Sequence, residues 1–240
     1  MPHAYKGSLL PPPSLAHKGI GLHAAANLQV RIDPSPGMDE GDLLELFWDD
    51  CYVTSHPLTQ AELGRPVFLS VPESFPDGAT ARIHYRWMKT GRCPRISSSL
   101  PVRIKLDCPG GPPLHPGEEE NQALAPLVLP KALRQQGISA RNIRNGVPFS
   151  IEPYLNMARE DEITLRWGDV RLDLPLLETR DVGKTVHGNV PTAVILEAGE
   201  DDHLEISYCI IDRVGNSSRW SPPLSLRVFG LDRHKPEYFY

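Results

Sequence analysis

The chain of 240 residues has no apolar run near the roughly 18 that a membrane-crossing helix needs. Its opening, MPHAYKGSLLPPPSLAHKG, has no apolar stretch of signal-peptide kind. Membrane insertion by a helix is therefore not expected, and nothing in the sequence names a compartment. Cysteine is scarce, with four in all and no CxxC, and the nine histidines stand singly with no pair at zinc-ligand spacing. The patterns GxSxG, GxxxxGK[ST], HExxH and the EF-hand loop are absent, and Gly19-Ile20-Gly21 lacks the rest of a dinucleotide fingerprint. No metal, no cofactor and no catalytic constellation are expected, so an enzyme is not the reading. The net charge is −5 with cations scattered among anions, which leaves no basic stripe for nucleic acid. Long stretches of helical periodicity are missing as well.

What is present is punctuation and alternation. Twenty-five prolines and 19 glycines break the chain into short segments, many with period-two patterning. In LEISYCIIDRVGNSSRWSPPLSLRVF, Leu204, Ile206, Tyr208 and Ile210 share one strand face, and Leu224, Leu226 and Val228 share another. Asp212 to Ser218 supplies the reversal between them, since Gly and Asn tolerate positive φ and Asp and Ser bond local backbone. The same hairpin occurs earlier, with Ala81, Ile83, Tyr85 and Trp87 leading to Gly91 and then to Leu100, Val102, Ile104 and Leu106.

The chain repeats itself. Trp48 and Trp167 end matching segments at a spacing of 167 − 48 = 119, which also relates Gly64 to Gly183, Pro72 to Pro191, and Leu28, Val30 and Ile32 to Val147, Phe149 and Ile151. The second copy carries four extra residues ahead of its hairpin, because Pro72 to Tyr85 spans 13 positions and Pro191 to Tyr208 spans 17.

Composition and repeat together predict an all-β chain of two tandem antiparallel β-sandwich domains. Their expected extents are 19–108 and 126–231, after a Pro-rich lead over 1–18 with little regular structure. A Pro/Gly-rich linker is expected over 109–125, and an aromatic tail over 232–240. Strands are expected at 28–32, 42–48, 51–54, 65–71, 80–89 and 100–107, then at 147–151, 162–167, 170–174, 185–190, 204–212 and 224–229. Residues 58–63 allow a single helical turn.

One pattern carries a resemblance. Pro36-Gly37-Met38-Asp39-Glu40-Gly41-Asp42 leads into an alternating strand ending at Trp48, followed by Leu58-Thr59, Leu63-Gly64, Val71-Pro72, Tyr85, and Ser98 to Leu100. In the second copy Pro153 to Met157 replaces the Pro-Gly lead, and Asp212 to Asn216 supplies an Asp-x-x-Gly-Asn turn. The sequence thereby resembles the tandem Ig-like modules of large bacterial surface and adhesin-like proteins. The resemblance implies Ig-like sandwiches, a cell-surface or secreted setting, and non-enzymatic binding of protein or glycan. A structural or decoration subunit of a larger assembly, such as a phage virion or a secretion machine, is the alternative.

Recognition on such a scaffold is expected at loop ends: Asp49, Asp50, Tyr52, Arg92 and Arg95 in the first domain, and Arg213, Asn216 and Arg219 in the second. Trp48 and Trp167 are expected as core anchors, and Trp220 either packs beneath its loop or meets a partner. The acidic turns Asp39 to Asp42 and Glu200 to Asp202 serve either to keep sheet edges soluble or to hold calcium. In a sandwich of this type the turn after the second strand and the last hairpin turn are expected at one end. That would bring Cys51 and Cys93 together as a disulfide, with four free thiols as the other reading. The tail Tyr238, Phe239 and Tyr240 is expected to dock on protein and to offer a route to self-assembly.

Overall fold

The structure is a computed structural model and describes residues 9–112, 117 and 119–231. The tail Tyr238, Phe239 and Tyr240 lies outside the described residues. The chain divides between Leu106 and Asp107 into two compact units.

In the first unit the strands are β1 (Gln29–Ile32), β2 (Leu43–Trp48), β3 (Cys51–Pro57), β4 (Val67–Ser70), β5 (Thr80–Met88), β6 (Arg95–Ile96) and β7 (Leu100–Arg103). The helix α1 (Leu22–Ala26) precedes them, and a 3-10 turn, Gln60–Glu62, stands where a single helical turn was allowed. The larger sheet runs β3-β2-β5-β6, with β7 also on the far side of β5, and β1 pairs with β4 to make the smaller one. All these pairings are antiparallel. The alternation read from sequence is the alternation that packs. Leu44, Leu46, Trp48, Ala81, Ile83, Tyr85 and Trp87 face Val30, Ile32, Val67 and Leu69 in one core.

The second unit repeats this with β8 (Val147–Ile151), β9 (Glu162–Trp167), β10 (Val170–Asp173), β11 (Val186–Val190), β12 (Asp201–Ile211), β13 (Ser217–Trp220) and β14 (Leu224–Val228). Its larger sheet is β10-β9-β12-β13 with β14 also on β12, and β11 pairs with β8. Registers coincide: Leu46 lies opposite Tyr85 and Trp48 opposite Ile83, as Leu165 lies opposite Tyr208 and Trp167 opposite Ile206. The aspartate that opens the repeat is buried in both units. Asp42 Oδ2 accepts the Trp87 Nε1–H at 2.8 Å and the Asp39 N–H at 3.0 Å. Asp161 Oδ2 accepts the Tyr154 hydroxyl at 2.8 Å and the Ala158 N–H at 2.9 Å.

Two expectations change. The described part of the proline-rich lead, 9–18, is packed rather than loose and acts as a broken first strand with the residues that follow it: Leu10, 2% exposed, bridges Ser97 in parallel, Ser14 bridges Arg31 antiparallel, and just beyond the lead Ile20 bridges Ile104 in parallel. Prolines without an N–H cannot sustain a continuous ladder, so this segment touches both sheets through isolated bridges. The second unit repeats the arrangement through Glu120 with Trp220, Val128 with Ser150, and Ile138 with Val228. Part of the segment expected as linker therefore belongs to this unit, with Asn121 and Leu124 fully buried.

The helices α2 (Lys131–Gln136) and α3 (Thr192–Ala198) were not expected. Each starts after a proline, Pro130 or Pro191, and ends at a glycine of positive φ, Gly137 or Gly199. Ile195 anchors α3 in the core, so part of the extra length in the second copy is helix rather than loop.

Candidate binding surfaces

Within the first unit the loop residues expected to recognise a ligand do not form one surface. Asp49 and Asp50 make the two-residue β2–β3 turn with φ of 45° and 66°, the positive values a tight hairpin of primed type requires. Asp49 is structural, since its Oδ1 accepts the Arg82 N–H at 2.8 Å and its own N–H donates to the Arg82 carbonyl at 2.9 Å. Asp50 is exposed, with His84 Nδ1 at 3.8 Å. Both aspartates border an open cleft of about 720 Å³ lined also by Arg82, Ser99 and Arg103. Arg92 is exposed, and the Arg95 guanidinium sits 5.1 Å from the Trp87 ring.

Those two arginines lie at the opposite pole. Neighbouring antiparallel strands have their C-terminal ends at opposite ends of a sheet, and both β2 and β5 are followed by the turns in question. Trp48 is opposite Ile83 whereas Leu43 is opposite Met88, so the two turns are separated by about 17 Å at ~3.3 Å per residue. The same geometry overturns the Cys51–Cys93 disulfide. Both cysteines are exposed free thiols at opposite ends of the sheet, and Cys108 and Cys209, partly covered, are unbridged as well.

In the second unit Arg213 is exposed at the β12–β13 turn and Arg219 is exposed within β13, with φ of 62°. Asn216 is only 2% exposed. Its side-chain amide donates to Asp212 Oδ2 at 2.9 Å and to the Asp107 carbonyl at 3.2 Å, and its N–H donates to Asp212 Oδ1 at 2.9 Å. It latches the turn rather than presenting itself to a ligand. Several carboxylates of the acidic turns are likewise engaged internally: Lys89 pairs with Asp39, Arg227 with Asp202 at 2.7 Å, and the Leu231 N–H donates to Glu200 Oε1 at 2.8 Å.

Two surfaces missed in the sequence lie on the outward faces of the larger sheets. In the first unit Phe47 stacks on His84 with ring centroids 5.0 Å apart, meets Tyr52 edge-on at 6.1 Å, and lies under the Arg86 guanidinium at 5.2 Å. Arg86 also reaches Glu45 at 2.5 Å and stands opposite Ile96. Tyr52 is 53% exposed and Ile96 is 50% exposed. The available signal was Phe47 itself, an aromatic whose immediate neighbours, Leu46 and Trp48, already fill the core, which leaves it on the opposite face.

In the second unit the Arg166 and Arg171 guanidiniums both lie over the Trp220 ring, 4.7 and 5.9 Å from its centroid. Thr164 donates its hydroxyl to Asp173 Oδ1 at 2.6 Å on the same face, and Cys209 is half-buried opposite both Thr164 and Trp220. This grouping depends on register across four strands, which spacing along one segment does not reveal. Burial raises the pKa of the Cys209 thiol and of the Tyr154 and Tyr208 hydroxyls, which keeps all of them protonated near neutral pH. The chemistry these faces offer is stacking, hydrogen bonding and cation contact.

No family model and no curated protein matches the sequence. Among solved structures, the chain aligns with the Clostridium thermocellum CbhA fibronectin(III)-like modules at 10% identity and a TM-score of 0.44, covering 95% of this chain and 97% of that one. It aligns with the chicken CNTN1 FN1-FN3 domains at 10% identity and a TM-score of 0.42, over 93% of this chain and 69% of that one. A 1.5-MDa bacterial ice-binding adhesin aligns at 10% identity and 0.37, over 93% of this chain and 66% of that one, just under two thirds of that structure's length. The strand order is more direct. A smaller sheet of β1 and β4 edged by the first strand, facing a larger sheet with β3, β2, β5 and a split last strand, is the arrangement of a fibronectin III or Ig-like sandwich, and it occurs twice in tandem.

Proposed function

We propose that the chain is a non-enzymatic binding protein whose first module recognises a protein partner through the outward face of its larger sheet. The observation that carries this reading is the solvent-facing cluster of Phe47, Tyr52, His84 and Arg86 beside the half-exposed Ile96. Aromatic and arginine side chains on a rigid sheet combine apolar area with directional contacts at low ordering cost, and they are enriched where proteins bind proteins. A surface or secreted setting belongs to the same proposal, and a glycan ligand is the variant of it that Tyr52 also permits by stacking.

The test compares two baits in a quantitative pull-down from the source organism: the natural chain, and a variant carrying Tyr52→Ala with Ile96→Ala. Both substitutions are on exposed side chains, so circular dichroism should not change. Proteins retained by the natural chain and lost by the variant identify the partner. Equal recovery by both baits places the binding surface elsewhere and defeats this reading.

A further inference from the structure

Strand β10 is an outer strand. It pairs with β9 on one side, and among the described residues no strand pairs with its other side. The Leu174 N–H donates to the Ile163 carbonyl at 2.9 Å, and bonded pairs alternate along an antiparallel ladder. Leu172 and Val170 therefore direct their backbone groups at β9, while Arg171 and Asp173 direct theirs outward. Such an edge is a template for another strand.

The side chains along this edge read apolar, cation, apolar, anion, apolar, from Val170 through Arg171, Leu172 and Asp173 to Leu174. That order is its own complement when the strand is reversed. If a second copy pairs antiparallel about Leu172, each Arg171 stands opposite the other copy's Asp173, and both residues already face outward with their backbone groups. On the inward side Leu172 meets its equivalent and Val170 meets Leu174. Pro175 follows and has no N–H to offer, so the ladder stops there and the register is confined.

Two further observations favour that occupant. Arg171 lies directly opposite Arg166 in the β10–β9 register, a like-charge pair that destabilises a sheet unless an anion joins it. Among the described residues neither arginine has a carboxylate within ion-pair distance, and Arg171 makes the longer of their two contacts with the Trp220 ring, 5.9 Å against 4.7 Å. The inward side is also incomplete. Leu172, Leu174, Leu176 and Val186, interspersed with polar residues such as Glu178 and His187, line an open groove of about 640 Å³ between the edges of the two sheets, and Leu176 is 52% exposed.

We propose that the second unit self-associates through β10, two copies joining their larger sheets edge to edge about a two-fold axis at Leu172, with reciprocal Arg171–Asp173 pairs outside and Val170, Leu172 and Leu174 of the two copies meeting inside. This is a different surface from the aromatic face of the first unit, and it stands or falls separately from the function proposed for that face.

The test is light scattering of the full chain with rising concentration, alongside amide hydrogen exchange. The average mass should climb from monomer toward dimer, with slowed exchange at Arg171 and Asp173. Arg171→Asp alone, or Asp173→Arg alone, puts like charges opposite and should hold the chain monomeric, whereas the variant carrying both should associate again. Arg171→Pro removes an N–H that β9 does not use, so it should abolish the dimer and leave the melting temperature of the dilute protein nearly unchanged. A chain that stays monomeric at every concentration overturns the proposal. So does a dimer indifferent to these substitutions, or protection of β10 that appears only when another protein or an extended peptide is added.

Discussion

Tyr85 and Ser97 hold each other twice, the Tyr85 N–H donating to Ser97 Oγ at 3.0 Å and the Ser97 N–H donating to the Tyr85 carbonyl at 2.9 Å. Tyr208 and Ser221 repeat the exchange at 3.1 and 2.7 Å. In both units the serine stands where the last strand breaks, between β6 and β7 or between β13 and β14. Its hydroxyl satisfies a buried strand N–H that the broken partner strand no longer reaches.

Ser97→Ala and Ser221→Ala should therefore each destabilise their own unit by about 1–3 kcal/mol, the cost of an orphaned buried donor. Denaturant unfolding of single-unit and full chains checks this. A change within about 0.5 kcal/mol would show that the tyrosine N–H finds another acceptor.

Gly188 is needed for space. A Cβ there would lie 2.3 Å from Cζ of the buried Phe149 ring, a distance that forces movement. Gly188→Ala should cost the second unit about 1–3 kcal/mol through overpacking. Phe149→Leu in the same chain should recover part of that loss, visible as non-additivity in a double-mutant cycle. Additive effects would mean that the ring and the glycine do not compete for the same volume.

Glu62 gives the first unit an acid-sensitive contact. Hydrogen bonds from the Thr59 hydroxyl, the His56 ring and the Thr59 N–H, at 2.6, 2.9 and 2.9 Å, lower its pKa from 4.5 to about 2. A lowered native pKa means that the unfolded chain takes up the proton first as pH falls. The contribution is thus complete above the unfolded value, declines between 4.5 and about 2, and is gone below. The stability difference between the natural chain and Glu62→Gln, followed by unfolding at a series of pH values, should shrink across that window. A difference that stays constant through it would remove the carboxylate from the account.

Thiol accessibility separates the cysteines. Cys51 and Cys93 are exposed, while Cys108 and Cys209 are partly covered. Alkylation of the native protein should label the first two quickly and Cys209 slowly, in keeping with its raised pKa. Mild oxidation of dilute protein should leave no Cys51–Cys93 cross-link in a peptide map, and finding that link in quantity would contradict the register of β2 and β5.

The legible parts of this fold were those written in local periodicity. Leu44, Leu46 and Trp48, and Ile163, Leu165 and Trp167, announce their buried face by alternation alone, and the 119-residue spacing (167 − 48) carries one unit onto the other. The first strand was hidden because Pro11, Pro12 and Pro13 spell an extended coil, while the bridges of Leu10 and Ile20 depend on distant partners. The outward faces were harder still. Arg166, Arg171 and Trp220 converge only once four strands are in register, and Asn216 looks like an exposed turn residue until Asp212 and the Asp107 carbonyl close around it.

The parallel bridges of the first strand also decide how each unit carries tension. In the first unit the Ile20 N–H donates to the Arg103 carbonyl at 2.8 Å and the Lys105 N–H to the Ile20 carbonyl at 3.0 Å, while Leu10 is bonded to Ile96 and Ser98. Ile138 makes the equivalent bonds to Arg227 and Phe229 in the second. Because the entering and leaving strands lie side by side and run the same way, a pull on the two ends of a unit drags them past one another. The bonds are then loaded together, in shear, rather than opened one at a time as in a zipper. A chain of such units resists extension at its seams, and the proline-rich segment is the part of each unit on which that resistance rests.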